Sequence, residues 1–186
     1  MKFKGEVVDL FCGVGALSHG LKLSGFKIIA GYDVDDRCKH AFEKNNSARF
    51  LARDVGKLTP EEIKTHYSGK RITVLAGCAP CQPFSSYKQR YDEDPKWNLV
   101  TKFATLAVAV QPDFITMENV PALLKYKEGK VFKNFCRILR EGNYTVEWSV
   151  EQCEKYGVPQ RRRRLVVLAA KSHEVGKIKA AATALT

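Results

Sequence analysis

Two stretches of this chain put reactive side chains where a fold could use them. Pro80-Cys81-Gln82-Pro83-Phe84-Ser85 sets a cysteine between two prolines, directly after an apolar run, 71–76, that reads as a buried strand. Proline fixes φ, so the flanking residues limit how far the thiol can wander. A thiol just past the carboxyl end of a strand lies at the rim where open α/β sheets bind ligands. Glu118-Asn119-Val120-Pro121 repeats the arrangement with a carboxylate, again behind an apolar run, 114–117. Arg161 to Arg164 form an unbroken basic run, followed at once by a strand-like stretch, 165–169. Side chains alternate along a strand, so Arg162 and Arg164 are expected to share a face.

Cys78 and Cys81 also make a Cys-x-x-Cys, the spacing of redox and zinc sites. Zinc requires a second pair of ligands. No other such pair exists, and His19, His40, His66 and His173 stand alone. No metal is therefore expected. A redox dithiol opens a helix directly, whereas Gln82 begins a long polar loop.

A second kind of chemistry is written near the start. The apolar stretch 7–11 runs into Cys12-Gly13-Val14-Gly15-Ala16-Leu17 and then a helical pattern. Glycines at a strand-to-helix turn let backbone N–H groups approach a ligand, with the helix N-terminus behind them. Asp33 follows the next strand-like stretch, placed where an acid accepts hydrogen bonds from ribose hydroxyls. Asp54 follows a further short strand-like piece and could meet an adenine edge. The third glycine of the dinucleotide pattern is missing, so an adenosine-containing ligand other than NAD is expected.

These residues need a scaffold, and the hydrophobic pattern supplies one. Strand-like stretches fall at 7–11, 27–31, 72–76, 114–117, 145–150 and 165–169, with helical patterns at 16–24, 36–45, 60–66, 98–110 and 130–141. Gly25 and Gly142 follow two of the helices as C′ glycines do. Alternation of this kind predicts an α/β fold: a mostly parallel sheet with helices on both faces. We expect one cofactor-binding and catalytic domain over 1–170, then an Ala- and Lys-rich tail, 171–186.

The 186 residues suffice for one well-buried core. No apolar run approaches the length of a membrane span, and no secretory leader is visible. Six scattered cysteines do not form a disulfide framework. An intracellular setting is expected, cytoplasmic (nucleoid) or nuclear. The net charge of +11 points to polyanionic partners, nucleic acid first.

Taken together, the motifs resemble those of the cytosine-C5 methyltransferases, which act on DNA and, in one branch, on tRNA. Asp9-Leu10-Phe11-Cys12-Gly13-Val14-Gly15 is similar to that family's first motif, Pro80 to Ser85 to its nucleophile motif, Glu118-Asn119-Val120 to its Glu-Asn-Val motif, and Gln160 to Arg164 to its Gln-x-Arg-x-Arg motif. They occur in the family's order. Departures are Ala16 for a second glycine, Cys78-Ala79 for a common Gly-Pro, and Val34 where an aromatic often covers the adenine.

The resemblance implies a Rossmann-like S-adenosylmethionine-dependent methyltransferase fold. It implies S-adenosylmethionine held by Phe11, Gly13, Val14, Gly15, Leu17, Asp33, Val34, Asp54, Val55 and Pro80. It makes Cys81 the nucleophile at cytosine C6 and sets Glu118 at the N3/N4 edge. Arg164 would meet O2, and Arg162 the cysteine loop or a phosphate. Gln82, Ser85 and Gln160 would touch DNA around a flipped-out base. The family's target-recognition region and last motifs have no counterpart here, so a second polypeptide or region is expected to supply them. DNA is the expected substrate, in a setting such as the modification arm of a restriction system. tRNA methylation, or a catalytically incomplete DNA-binding subunit, is the alternative.

Overall fold

The computed structural model describes residues 4–80 and 98–171. Cys81, Gln82 and Ser85 lie outside the described residues, as does the tail from 172 onward.

Among the described residues, seven strands form one sheet: β1 (Glu6–Leu10), β2 (Lys27–Asp33), β3 (Arg49–Ala52), β4 (Thr73–Gly77), β5 (Phe114–Asn119), β6 (Tyr144–Gln152) and β7 (Arg163–Lys171). Their order is β3-β2-β1-β4-β5-β7-β6. The first five run parallel. β7 is antiparallel to β5, and β6 is antiparallel to β7. The sheet is mostly parallel, as expected, with an antiparallel hairpin at one edge.

The helices α1 (Ala16–Leu23), α2 (Lys39–Asn46), α3 (Pro60–Lys64), α4 (Asn98–Val110) and α5 (Lys130–Glu141) cover both faces. Alternation along β1 divides the core. Val7 packs with Cys12, Ile28, Phe42 and Phe50 on the α1–α2 side, joined by Leu17 and Leu21. Val8 and Leu10 belong to the larger cluster on the other side, with Phe103 of α4 and Phe135 and Leu139 of α5. β1 is buried along its whole length, because it has a strand on each side and helices above and below. Such a strand reads as a continuous apolar run, which leaves the polar residues Glu6 and Asp9 as the exceptions.

The helix patterns at 98–110 and 130–141 coincide with α4 and α5. In α5 the buried residues Val131, Phe132, Phe135, Cys136 and Leu139 form one apolar stripe at helical spacing. α3 begins with Pro60 and a reciprocal capping box between Thr59 and Glu62. Two details differ from expectation. β4 starts at Thr73, and Ile72 is exposed, because the chain enters the sheet one residue later than its apolar run begins. Gly142 has a negative φ, and Asn143 behind it takes the left-handed turn at φ 68°. Gly142 is small for packing reasons: a Cβ there would stand 2.5 Å from Cγ2 of Val108 on α4.

Candidate functional site

The carboxyl ends of β1, β2 and β3 lie side by side. Leu10 pairs with Tyr32, and Asp33 with Ala52. From this rim the chain turns sharply, with positive φ at Phe11 (59°), Gly13 (50°) and Gly15 (86°), before α1 begins at Ala16. The turn is fastened to β2 by two bonds: the Cys12 N–H donates to Tyr32 O at 3.0 Å, and the Gly13 N–H to Asp33 Oδ2 at 2.8 Å. The other oxygen of Asp33 accepts the Asp35 N–H at 3.0 Å.

The two glycines serve different purposes. A Cβ on Gly15 would stand 2.2 Å from Nδ2 of Asn46 and 2.7 Å from the Phe42 ring, so α2 packs against bare backbone. Buried Asn46 donates through that Nδ2 to Gly15 O (3.3 Å) and Phe42 O (3.0 Å). Around Gly13, no atom of the described residues lies within 4 Å of the Cβ position. Gly13 thus borders open space beside a carboxylate, with Val14 and Val34 exposed next to it.

The remaining residues expected near a cofactor are spread over this rim. Asp54 is exposed and accepts the Gly56 N–H at 2.8 Å, capping the turn Val55–Lys57. Val55 is buried in the larger core, Phe11 packs partly against it, and Leu17 packs against the smaller one. Beneath the turn lies Asp9, 1% exposed, the first residue of the motif that ends in Gly15. Its Oδ2 accepts the Ser18 hydroxyl at 2.6 Å. Its Oδ1 has no partner among the described residues. Burial first, and then the Asp33 charge, push Asp9 up to about 7 against the Ser18 bond. Burial and the nearby Asp9 and Asp33 carboxyls also push the Cys12 thiol far up, an inert environment for a nucleophile. The available signal for Asp9 was a lone acid inside an apolar strand.

A second cluster lies along the same rim, at the ends of β4 and β5. The Cys78 N–H donates to Leu10 O at 3.2 Å, tying the segment after β4 to the end of β1. Buried Asn119 donates through Nδ2 to Ala79 O at 3.1 Å. Between these anchors, the Cys78 thiol donates to Glu118 Oε2 at 3.0 Å. Glu118 Oε1 is paired with Nε of Arg164, both side chains being largely buried. Pro80, the residue before Cys81, is half-buried.

The antiparallel run of β7 explains Arg164. Leu165 pairs with Asn119 at the end of β5, so the preceding arginine projects past that end, beside Glu118. Arg162 and Gln160 lie in the exposed turn before β7, held by backbone bonds: Arg162 N–H to Gln160 O at 2.8 Å and Gln160 N–H to Val158 O at 2.7 Å. The structure therefore joins Glu118 to Arg164 and leaves Arg162 and Gln160 on the surface nearby.

A depression of about 410 Å³ opens elsewhere, lined by Tyr32, Leu51, Arg53, Glu62 and His66. Tyr32 faces the larger core, away from Asp33, and its hydroxyl lies 2.7 Å from Nε2 of His66. Convergence of reactive groups, rather than concavity, marks the site. Among the described residues no group of three His, Cys, Asp or Glu side chains could hold a metal ion. None of the described helices is long and apolar enough to cross a membrane.

The sequence profile of C-5 cytosine-specific DNA methylases matches residues 5–184. The chain belongs to that family. Within the methylase family, it is 46% identical over 167 residues to the type II methylase M.HgiDII of Herpetosiphon aurantiacus, covering 90% of this chain and 47% of that protein. It is 33% identical over 170 residues to the type II methyltransferase M.XorII of Xanthomonas oryzae, covering 88% and 40%. In three dimensions it resembles a prophage-encoded protein of E. coli with a TM-score of 0.77 at 26% identity, covering 90% of this chain and 47% of that one. The S. pombe Dnmt2 methyltransferase shares the fold with a TM-score of 0.69 at 19% identity, covering 90% and 51%. The chain thus spans about half the length of the relatives it matches.

Proposed function

We propose that this methylase chain transfers a methyl group from S-adenosylmethionine to C5 of cytosine in DNA. The observation that carries the reading is the placement of two clusters on one sheet rim, Gly13–Asp33 and Cys78–Glu118–Arg164, bridged by the bond from Cys78 N–H to Leu10 O.

The first cluster fits an adenosine-containing cofactor, because Gly13 borders open space while Asp33 keeps lone pairs beside it. Gly13 and Asp33 would hold it, with Val14, Val34, Asp54 and Pro80 around it and Phe11, Gly15, Leu17 and Val55 supporting the turn. When bound, S-adenosylmethionine supplies an electrophilic methyl group.

Cytosine C5 is a poor nucleophile, and the protein's part is to activate it. The Cys81 thiolate adds to C6, and the displaced electron pair makes C5 enamine-like. Glu118, at the N3/N4 edge, gives a proton to N3 as negative charge develops there and takes it back when Cys81 leaves. Arg164 keeps Glu118 in place and donates toward O2, for which a permanently charged planar group is suited. After methylation C5 gives up its proton to a base, C5=C6 re-forms, and Cys81 leaves as thiolate. The target atom is out of reach inside a duplex, so the base must be flipped out. Gln82, Ser85, Arg162 and Gln160 would hold the opened DNA. A further polypeptide or region would read the target sequence, consistent with relatives twice as long.

The test is transfer of labelled methyl from S-adenosylmethionine to duplex DNA and to tRNA, with the 5-methylcytosine located afterwards. Labelled DNA, and none with Cys81→Ala, is expected. Label in tRNA alone would move the substrate to RNA. No transfer even with co-purifying proteins would leave a binding subunit.

A further inference from the structure

We propose that Cys78 is a positioning residue: its thiol donates to Glu118 and, together with Arg164, fixes the plane of that carboxylate. The inference rests on the methyl-transfer reading above.

Position 78 carries a side chain where related motifs commonly have glycine, and that side chain has a defined direction. The backbone on both sides is pinned, through Cys78 N–H to Leu10 O at 3.2 Å and Ala79 O to Asn119 Nδ2 at 3.1 Å. The room is tight as well. A Cβ on the preceding Gly77 would stand 3.1 Å from Leu10 O and 3.1 Å from the Phe103 ring. From this fixed backbone Sγ reaches 3.0 Å from Glu118 Oε2, while Nε of Arg164 holds Oε1. Two donors from opposite sides, β4 and β7, thus hold one carboxylate from the end of β5.

The two donors differ in strength. A guanidinium is permanently charged and binds a carboxylate firmly, whereas a thiol is a weak donor. A carboxylate held this way is oriented before substrate arrives, and it yields one oxygen readily to the N4 amino group of a cytosine. Serine keeps a donor at this position; alanine and glycine remove it.

Two measurements on the whole protein test this. In steady-state methyl transfer, Cys78→Ala and Cys78→Gly should each lower kcat about three- to tenfold, the range for one ordinary hydrogen bond from a weak donor. Cys78→Ser should stay within threefold of the parent. KM for S-adenosylmethionine and the melting temperature should be unchanged throughout the series. A Ser variant as slow as Ala, or Ala and Gly variants at the parent rate, would overturn the proposal. The contact itself is read without any turnover by the rate at which iodoacetamide alkylates Cys78, followed by peptide mass mapping. A neighbouring carboxylate disfavours the thiolate. Glu118→Gln should therefore speed alkylation of Cys78 about three- to tenfold, and an unchanged rate would refute the contact. A parent protein without methyl transfer would instead sink the enzymatic reading, leaving the contact to be judged on the alkylation rates.

Discussion

The two clusters on the rim are built from different materials. Around Gly13 and Asp33 the main chain dominates: positive φ at three of five residues, a backbone N–H on each carboxylate oxygen, and a helix packed against a missing side chain. Around Glu118 side chains dominate. Cys78 and Arg164 meet the carboxylate from β4 and β7, with Asn119 bracing the loop. The first construction binds stability to shape, because its residues hold the fold and the ligand space at once. The second leaves the fold largely indifferent to its reactive groups, which sit at the ends of strands rather than inside the core.

Substitutions can separate the two. The largest expected effect is on the side-chain cluster: Glu118→Ala should lower kcat for methyl transfer by a factor on the order of a thousand, about 4 kcal/mol of barrier, with little change in melting temperature. Gly15→Ala should do the reverse and destabilise the fold by about 3 kcal/mol in urea titrations. It combines a left-handed φ with contacts no Cβ can make. A melting temperature equal to the parent's would show that α2 can withdraw, and the contrast would fail.

Asp9 sharpens the comparison through pH. Its folded pKa of about 7 lies above the unfolded value of 3.8, so the folded state binds the proton more tightly. Its contribution to stability is full below the unfolded value and is lost as pH rises through about 7. Between pH 5 and pH 8 the parent should lose roughly 2 kcal/mol relative to Asp9→Asn, which carries no charge to bury. Parallel pH–stability curves for the two proteins would refute this. The smallest effect is expected from Asp33→Asn, which keeps an acceptor for Gly13. It should weaken S-adenosylmethionine binding about fivefold, roughly 1 kcal/mol, in calorimetric titration.

The sequence made the helices and most strands legible because their apolar patterns are long. α4 and α5 each bury a full stripe, and Ala16 stands directly behind the glycine turn. β3 showed only as a short piece before Asp54, since four residues carry little pattern. Strand direction was not legible at all. Nothing in 163–171 distinguishes a parallel from an antiparallel neighbour, yet the reversal of β7 is what brings Arg164 to Glu118. Glu118 and Arg164 could be singled out by motif. Their meeting with Cys78, forty positions before Glu118, is a property of register rather than of spacing. Asp9 was legible as part of a motif, but its full burial and its bond to Ser18 were not, because one acid among apolar neighbours does not reveal a strand covered on both faces.

The reversed strand also decides where attachments to this protein will sit. β7 carries the chain from the reactive rim to Lys171, whose Nζ reaches Gln111 O at 2.7 Å, at the foot of the sheet where β5 begins. Nine extended residues cover roughly 30 Å. A fluorophore or affinity handle placed at position 171 therefore starts a full strand length from the bond-making groups, while one inserted at Val158 enters at the other end, in the exposed turn before β7.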